Sequence, residues 1–159
     1  MIAAAPGFPT VPTPEGWTRS QHGPRVWLVP PTPGGRIVIP PLQARPKQLP
    51  PTMFLDRVLV QERDRFPRLT QTEPVTVTSN AHVPGLVVDV AGLDASDRPL
   101  EWRCYALFAT QERFALLFLQ VAPQRHAELR PVFLALAASV DIPEDGPPGV
   151  DTSLPLELL

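Results

Sequence analysis

The sequence is poor in cysteine and has neither a long apolar run nor the features of a secretory signal. Among its 159 residues there is one cysteine, Cys104, and one lysine, Lys47. A single cysteine excludes an internal disulfide, so the core alone must hold the fold. No apolar run approaches the roughly 18 residues of a membrane helix, so we expect no membrane span. The N-terminus lacks the cationic and apolar regions of a secretory signal, which predicts a cytoplasmic location.

The charge balance favours no polyanionic partner. The chain carries 14 basic and 16 acidic residues, a net charge of −2, so neither nucleic acid nor an anionic membrane is expected as a partner. Apart from Lys47 the basic residues are all arginine. Arginine favours bidentate recognition of carboxylates and phosphates. The alternative is that a GC-rich genome, which also favours alanine, proline and valine, explains the excess of arginine over lysine.

Proline is abundant and unevenly placed. The 23 prolines crowd residues 6–51 and return from Pro143 onward. We therefore predict a proline-rich N-terminal arm over residues 1–24, a single domain over 25–142 and a flexible proline-rich tail over 143–159. Trp17 is expected to attach the arm to the domain. The hydrophobic fraction of 43% is sufficient for a folded core.

The hydrophobic periodicity predicts an α+β fold of order β-β-α-β-β-β-β-α. Alternating or continuous apolar runs predict the strands, and helical spacing predicts the two helices. The predicted strands are residues 25–29, 36–39, 75–78, 86–90, 100–108 and 114–121. The first helix is predicted over 52–66, with Glu62 on its polar side, and the second from Pro131 to Ser139. Short turns between strands predict an antiparallel sheet of about six strands, flanked by helices as an α/β/α sandwich.

The sequence offers no convincing catalytic, cofactor or metal site. His22, His82 and His126 do not have the spacing of metal ligands with one another or with Cys104. Cys104 shares its strand face with Trp102 and Ala106, which predicts a buried, unreactive thiol.

Four acidic residues fall in one predicted hairpin: Asp89, Asp94, Asp97 and Glu101. Such a group could bind a hard cation or act in acid–base catalysis. The alternative is that Asp94 and Asp97 cap backbone groups of the turn that contains them.

Aromatic and arginine residues on the predicted strands are the best candidates for partner contact, since Trp, Tyr and Arg dominate protein–protein hot spots. The candidates are Arg25, Trp27, Arg36, Arg103 and Tyr105, together with Leu156, Leu158 and Leu159 of the apolar C-terminal segment. The alternatives are that Trp27 and Trp102 are simply core residues and that the C-terminal segment is inert.

The order of elements resembles a known superfamily. A Pro14-Glu-Gly-Trp17 opening precedes a hairpin, a helix, a four-strand meander and a helix with Phe133 and Ser139. This is similar to the PsbP-like superfamily, which includes the photosystem II extrinsic protein, the Ran-binding release factor and bacterial type VI secretion effector chaperones. The resemblance implies an α/β/α sandwich that binds proteins without catalysis. The effector chaperones look most similar; they shield apolar cargo segments and are often dimeric.

These observations favour a non-catalytic adaptor or chaperone for a secreted or assembled protein, with a homodimer possible. A second hypothesis is a structural subunit that holds its neighbours with proline-rich arms. A third is a small ligand-binding protein or enzyme that uses Asp89, Glu101 or Arg103 in a pocket. The sequence predicts no cofactor.

Overall fold

The apolar strands of the second half of the chain form the centre of an antiparallel sheet. The computed structural model describes residues 7–47, 49–66 and 68–143. These residues form nine strands and two α-helices, α1 Pro51–Arg63 and α2 His126–Ala138, the latter preceded by a 3₁₀ turn at Pro123–Arg125. The strands are β1 Thr18–His22, β2 Arg25–Val29, β3 Gly35–Ile39, β4 Gln43–Ala44, β5 Arg68–Gln71, β6 Val75–Thr78, β7 Pro84–Leu93, β8 Pro99–Ala109 and β9 Arg113–Val121.

The strands form one sheet in the order β1-β2-β3-β9-β8-β7-β5. β4 also pairs with β9, beyond the part that β3 occupies, and β6 pairs with β7 beyond β5. All pairings are antiparallel, as predicted. β9 is buried on both faces along most of its length, which explains its nearly continuous apolar sequence.

A helix covers each face of the sheet, so the chain has two apolar cores. On one face α1 buries Phe54, Leu55, Val58 and Leu59 against β7, β8 and β9. On the other face α2 buries Leu129, Phe133, Leu136 and Ala137. Adjacent residues of β8 and β9 point alternately into the two cores, because the side chains of a strand alternate between its faces.

The prediction of about six strands and of the order β-β-α-β-β-β-β-α is wrong in its count and order, although the antiparallel α+β architecture is confirmed. The missed strands are β1, β4 and β5. β1 and β5 have almost no apolar alternation and lie at exposed positions. β4 has two residues and follows Pro40 and Pro41. Backbone pairing with neighbouring strands, rather than side-chain pattern, holds these segments in the sheet.

The segment before residue 25 packs on the domain as far as it is described. Phe8 and Val11 are buried in the core beneath α2, and Trp17 packs against the same core. Thr10 forms a pair of backbone hydrogen bonds with Asp141. This segment also supplies β1, so residues 7–24 contribute to both the core and the sheet. Residues 144–159, which belong to the predicted tail, lie outside the described residues.

Both helices differ from their predicted bounds. α2 begins at His126 and contains Pro131, where a start near Pro131 was predicted. Proline removes one backbone hydrogen bond, but the buried stripe on α2 runs through it and keeps the segment helical. α1 ends at Arg63, short of the predicted residue 66. Neither described helix is long and apolar enough to cross a membrane.

Candidate functional site

The candidate site lies on the α1 face of the sheet, where the helix leaves part of the strands uncovered. α1 packs on β5, β7 and β8. Beyond it, side chains of β2, β3 and the ends of β8 and β9 remain half-exposed. We call this surface the arginine groove and define it by Arg25, Trp27, Arg36, Arg65, Arg103 and Gln120.

Two adjoining cavities make up the floor of the groove. The first, of about 80 Å³, is lined by Arg25, Trp27, Arg36, Val38, Arg65, Arg103, Phe118 and Gln120. The second is broader and shallower, about 360 Å³, and is lined by Gly34, Gly35, Arg36, Leu100, Glu101, Gln120, Val121 and Ala122. Arg36 and Gln120 line both cavities, so the two lie side by side.

Strand register brings the groove residues together. Arg36 and Arg103 both lie directly opposite Gln120, on the two strands that flank β9. The three side chains therefore form a row across one face of the sheet. Arg36 Nε donates a hydrogen bond to Gln120 Oε1 at 2.8 Å.

Trp27 is held between a cation and another ring. The Arg36 guanidinium carbon lies 3.9 Å from the centroid of the Trp27 ring, a cation–π contact. The imidazole of His22 stacks on the same indole, with 3.7 Å between ring centroids. Trp27 remains half-exposed between these neighbours. It is therefore a pre-oriented aromatic surface on a rigid strand.

A buried ionic network supports the groove from below. Arg103 Nη1 donates to Glu62 Oε1 at 2.7 Å, and Arg103 Nε donates to Glu101 Oε2 at 2.7 Å. The Tyr105 hydroxyl donates a short hydrogen bond to Glu62 Oε1. Glu62 is fully buried and Arg103 is 3% exposed, so most of this network is removed from water. Gln120 Nε2 donates to Glu101 Oε1 at 3.3 Å and connects the network to Arg36.

The arginines of the groove influence one another's pKa values. Burial lowers the pKa of Arg25, and the neighbouring charges of Arg65 and Arg103 lower it further. Burial and the charge of Arg103 likewise lower the pKa of Arg36. Burial opposes the charge of Arg103, but Tyr105, Glu62 and Glu101 together raise its pKa above the usual value. Burial is thus the largest cause for both residues, and repulsion between the neighbouring guanidinium groups adds to it.

The structure brings together four of the predicted partner-contact residues: Arg25, Trp27, Arg36 and Arg103. Tyr105 is on the same face but is fully buried beneath α1, where it contacts Glu62. Its side chain is therefore not exposed for direct contact with a partner. Leu156, Leu158 and Leu159 lie outside the described residues.

Sequence reasoning missed Arg65, Gln120 and the role of Glu62. The expectation that Glu62 lies on the polar side of α1 is wrong. Glu62 follows Val58 by four residues and Leu59 by three, so it continues the buried stripe of the helix. That spacing was the available indication of its burial.

The other candidate residues lie outside the arginine groove and make structural contacts. Arg130 holds Asp89 through two hydrogen bonds, at 2.9 and 2.7 Å. Cys104 is fully buried; burial, and then the carboxylate of Asp89, raise the pKa of its thiol against the opposing effect of Arg130. Asp94 Oδ1 accepts hydrogen bonds from the backbone N–H groups of Ser96 and Arg98, as predicted for a turn cap. Within the described residues, no three His, Cys, Asp or Glu side chains converge as metal ligands would.

Cys104 is expected to resist thiol reagents in the native protein. Its burial and raised pKa disfavour the reactive thiolate. The native protein should react at least about a hundredfold more slowly than the urea-unfolded chain, because the buried sulfur is closed to the reagent and its raised pKa leaves little thiolate. Absorbance of the released thiolate from a chromogenic disulfide measures both rates. Rapid stoichiometric labelling without denaturant would contradict the buried placement.

Comparisons with known proteins show a similarity of fold and no match by sequence. Neither a family profile nor a curated protein matches the sequence. Among solved structures, PsbP (CyanoP) from Synechocystis has a TM-score of 0.59 and 11% identity, over 82% of this chain and 84% of that chain. PA94 from Pseudomonas aeruginosa, a protein of unknown function described as a candidate regulator, has a TM-score of 0.54 and 11% identity, over 81% and 98%. The predicted PsbP-like fold is therefore confirmed.

Proposed function

We propose that this chain is a non-catalytic protein-binding module, an adaptor or chaperone that takes its partner on the arginine groove. The observation that carries the proposal is the gap in helix cover, which leaves Trp27, Arg25 and Arg36 half-exposed on a rigid sheet. Tryptophan and arginine are the residues that contribute most at protein interfaces. Residues fixed on strands also lose little conformational entropy when a partner binds.

The shape of the groove favours a protein over a small molecule. Pockets for small molecules enclose most of the ligand and are lined mainly by apolar side chains. The first cavity here is small and its walls are largely guanidinium groups. The second is shallow, and glycine backbone forms part of its wall. An extended surface of this kind suits contact with a protein segment.

A non-catalytic role is supported by the contacts of the reactive groups. Glu62 and Glu101 both hold Arg103, and Asp89 is held by Arg130. Cys104 is enclosed in the core. We propose the cytoplasm as the location and another protein, or a second copy of this chain, as the partner. The packing of residues 7–24 on the domain favours the adaptor over a structural subunit that uses this arm to hold neighbours.

Affinity capture from the native host with the tagged chain tests this function. The wild type should retain one abundant partner, whereas Trp27→Ala and Arg36→Ala should reduce its recovery by about tenfold or more, as expected for hot-spot residues. Arg57→Ala, at an exposed arginine on α1, is the matched control and should retain the partner. Thermal unfolding establishes that each variant is folded. Equal recovery by both groove variants, or capture of no protein by the wild type, would overturn the proposal.

A further inference from the structure

We infer that an apolar groove between the N-terminal segment and α2 binds the chain's own residues 154–159, Leu-Pro-Leu-Glu-Leu-Leu, which lie outside the described residues. We call these six residues the leucine segment and the surface the proline groove. The groove is lined by Pro12, Pro14, Pro131, Val132, Ala135 and Leu136. It lies on the α2 side of the sheet, away from the arginine groove, so the inference does not depend on the proposed function.

The walls of the proline groove are apolar. None of the six lining side chains is polar, and the three prolines also lack a backbone N–H. Pro12, Pro131 and Ala135 are nevertheless exposed, around a cavity of about 460 Å³. A contiguous apolar surface that is open to solvent marks a site where another apolar group binds.

Both walls of the groove are held in place by the fold. On one side, Val11 is buried in the core, and Thr10 forms a pair of backbone hydrogen bonds with Asp141. On the other side, Leu136 is buried where α2 packs on the sheet. An occupant therefore meets a preformed surface and does not have to order it.

The described part of the chain ends near this groove, at Pro143. Asp141 pairs with Thr10. Pro12 and Pro143 each lie two residues from this pair, which places them within roughly 20 Å of each other. Residues 144–153 span up to about 33 Å when extended, so the leucine segment that follows them can reach the groove of its own molecule.

The sequence of the leucine segment complements the groove. Leu154, Leu156 and Leu158 are spaced by two residues, so in an extended conformation they would face the same side. Pro155 favours that conformation for the residue before it. Glu157 would then face solvent, so that no charge enters the apolar groove.

The covalent connection makes a weak contact sufficient. A short flexible linker gives a tethered segment an effective concentration on the order of millimolar. A segment that binds at roughly 0.1 mM when separate would then occupy the groove about nine-tenths of the time. The leucine segment therefore needs only modest affinity to cover the groove.

Protection of an introduced thiol in the full chain tests the inference. Ala135→Cys places a thiol on the exposed wall of the groove, where a chromogenic disulfide reaches it unless the leucine segment covers it. We expect this thiol to react about tenfold more slowly than in a chain that also carries Leu154→Asp/Leu156→Asp/Leu158→Asp, because charged side chains do not enter an apolar groove. Cys104 is buried and contributes only a slow background.

Two variants serve as matched controls. Ala127→Cys places a thiol at an exposed position of α2 that does not line the groove, and its reaction rate should be the same with and without the three aspartates. Ile2→Asp changes the other apolar segment outside the described residues and should leave the protection at Ala135→Cys unchanged. Thermal unfolding establishes that each variant is folded.

Protection should also be unchanged on about a hundredfold dilution, because binding of a tethered segment does not depend on protein concentration. Equal reaction rates of the Ala135→Cys thiol with and without the three aspartates would overturn the inference. Loss of protection in Ile2→Asp would overturn it by assigning the groove to the N-terminal residues. Protection that fades on dilution would overturn it by assigning the groove to a second copy. None of these results bears on the arginine groove, which host capture tests separately.

Discussion

Replacing Glu62 with leucine is expected to lower the free energy of unfolding by about 3–5 kcal/mol. Glu62 is fully buried and accepts hydrogen bonds from both Arg103 and Tyr105. Its removal leaves the buried guanidinium of Arg103 with Glu101 as its carboxylate partner and leaves the Tyr105 hydroxyl without its acceptor. Chemical denaturation of the wild type and the variant measures the difference in the free energy of unfolding. The two proteins are expected to show the same dependence of this free energy on denaturant concentration.

Two controls separate the buried charge from the loss of packing. Glu101→Gln removes a carboxylate that is 26% exposed and should cost about 1 kcal/mol or less. The triple variant Glu62→Leu/Arg103→Met/Tyr105→Phe removes the three buried members of the network and should recover most of the lost stability. A Glu62→Leu variant as stable as the wild type would show that this network is not buried as described.

Replacing Phe133 with alanine is expected to cost about 3–5 kcal/mol of stability. Phe133 is fully buried where α2 meets the sheet, in the core that also contains Phe8 and Val11. Truncation removes the apolar contacts of the ring and leaves a cavity that the β-sheet cannot easily close. Thermal and denaturant unfolding measure the loss.

Val132→Ala is the matched control for this prediction. Val132 is the neighbouring residue on α2 and is only half-buried, so its truncation should cost about 1 kcal/mol or less. Because α2 lies on the face opposite the groove, folded Phe133→Ala protein should still bind the partner. A loss below 1 kcal/mol for Phe133→Ala would contradict the packing of α2 on the sheet.

Five of the six strands that the sequence predicted build the cores, and the sixth, β6, was predicted from the alternation of Val75 and Val77 although it is mostly exposed. β2, β3, β7, β8 and β9 carry β-branched or alternating apolar residues, and hydrophobic periodicity is sufficient to identify them. β1 is polar throughout and is ordered by register with β2. Such pairing depends on the position of a neighbouring strand in the folded protein. The local hydrophobic pattern holds no information about that position. α2 shows the same limit, since packing of Phe133 and Leu136 outweighs the local effect of Pro131.

The groove was partly predictable because strand alternation placed its residues on one face. Residue type and strand position point to Trp27, Arg25 and Arg36, and the register of β2 and β3 brings them together. Neither points to Gln120, because only the pairing of β9 with both β3 and β8 puts it between two arginines. Tyr105 shares the alternation of Arg103, but α1 covers it. The extent of helix cover follows from tertiary packing and not from the strand sequence.

Hydrogen exchange of the chain with and without its captured partner tests the central claim, that the arginine groove is the binding surface. The informative amides lie beside the groove, at Thr32 and Gly34 between β2 and β3, at Arg98 and Leu100 around the start of β8, and at Ala122 after β9, since amides within the central strands already exchange slowly. We predict that bound partner slows exchange in these three segments. Unchanged exchange there, with protection instead along α2 or at Thr13 on the opposite face, would contradict the account.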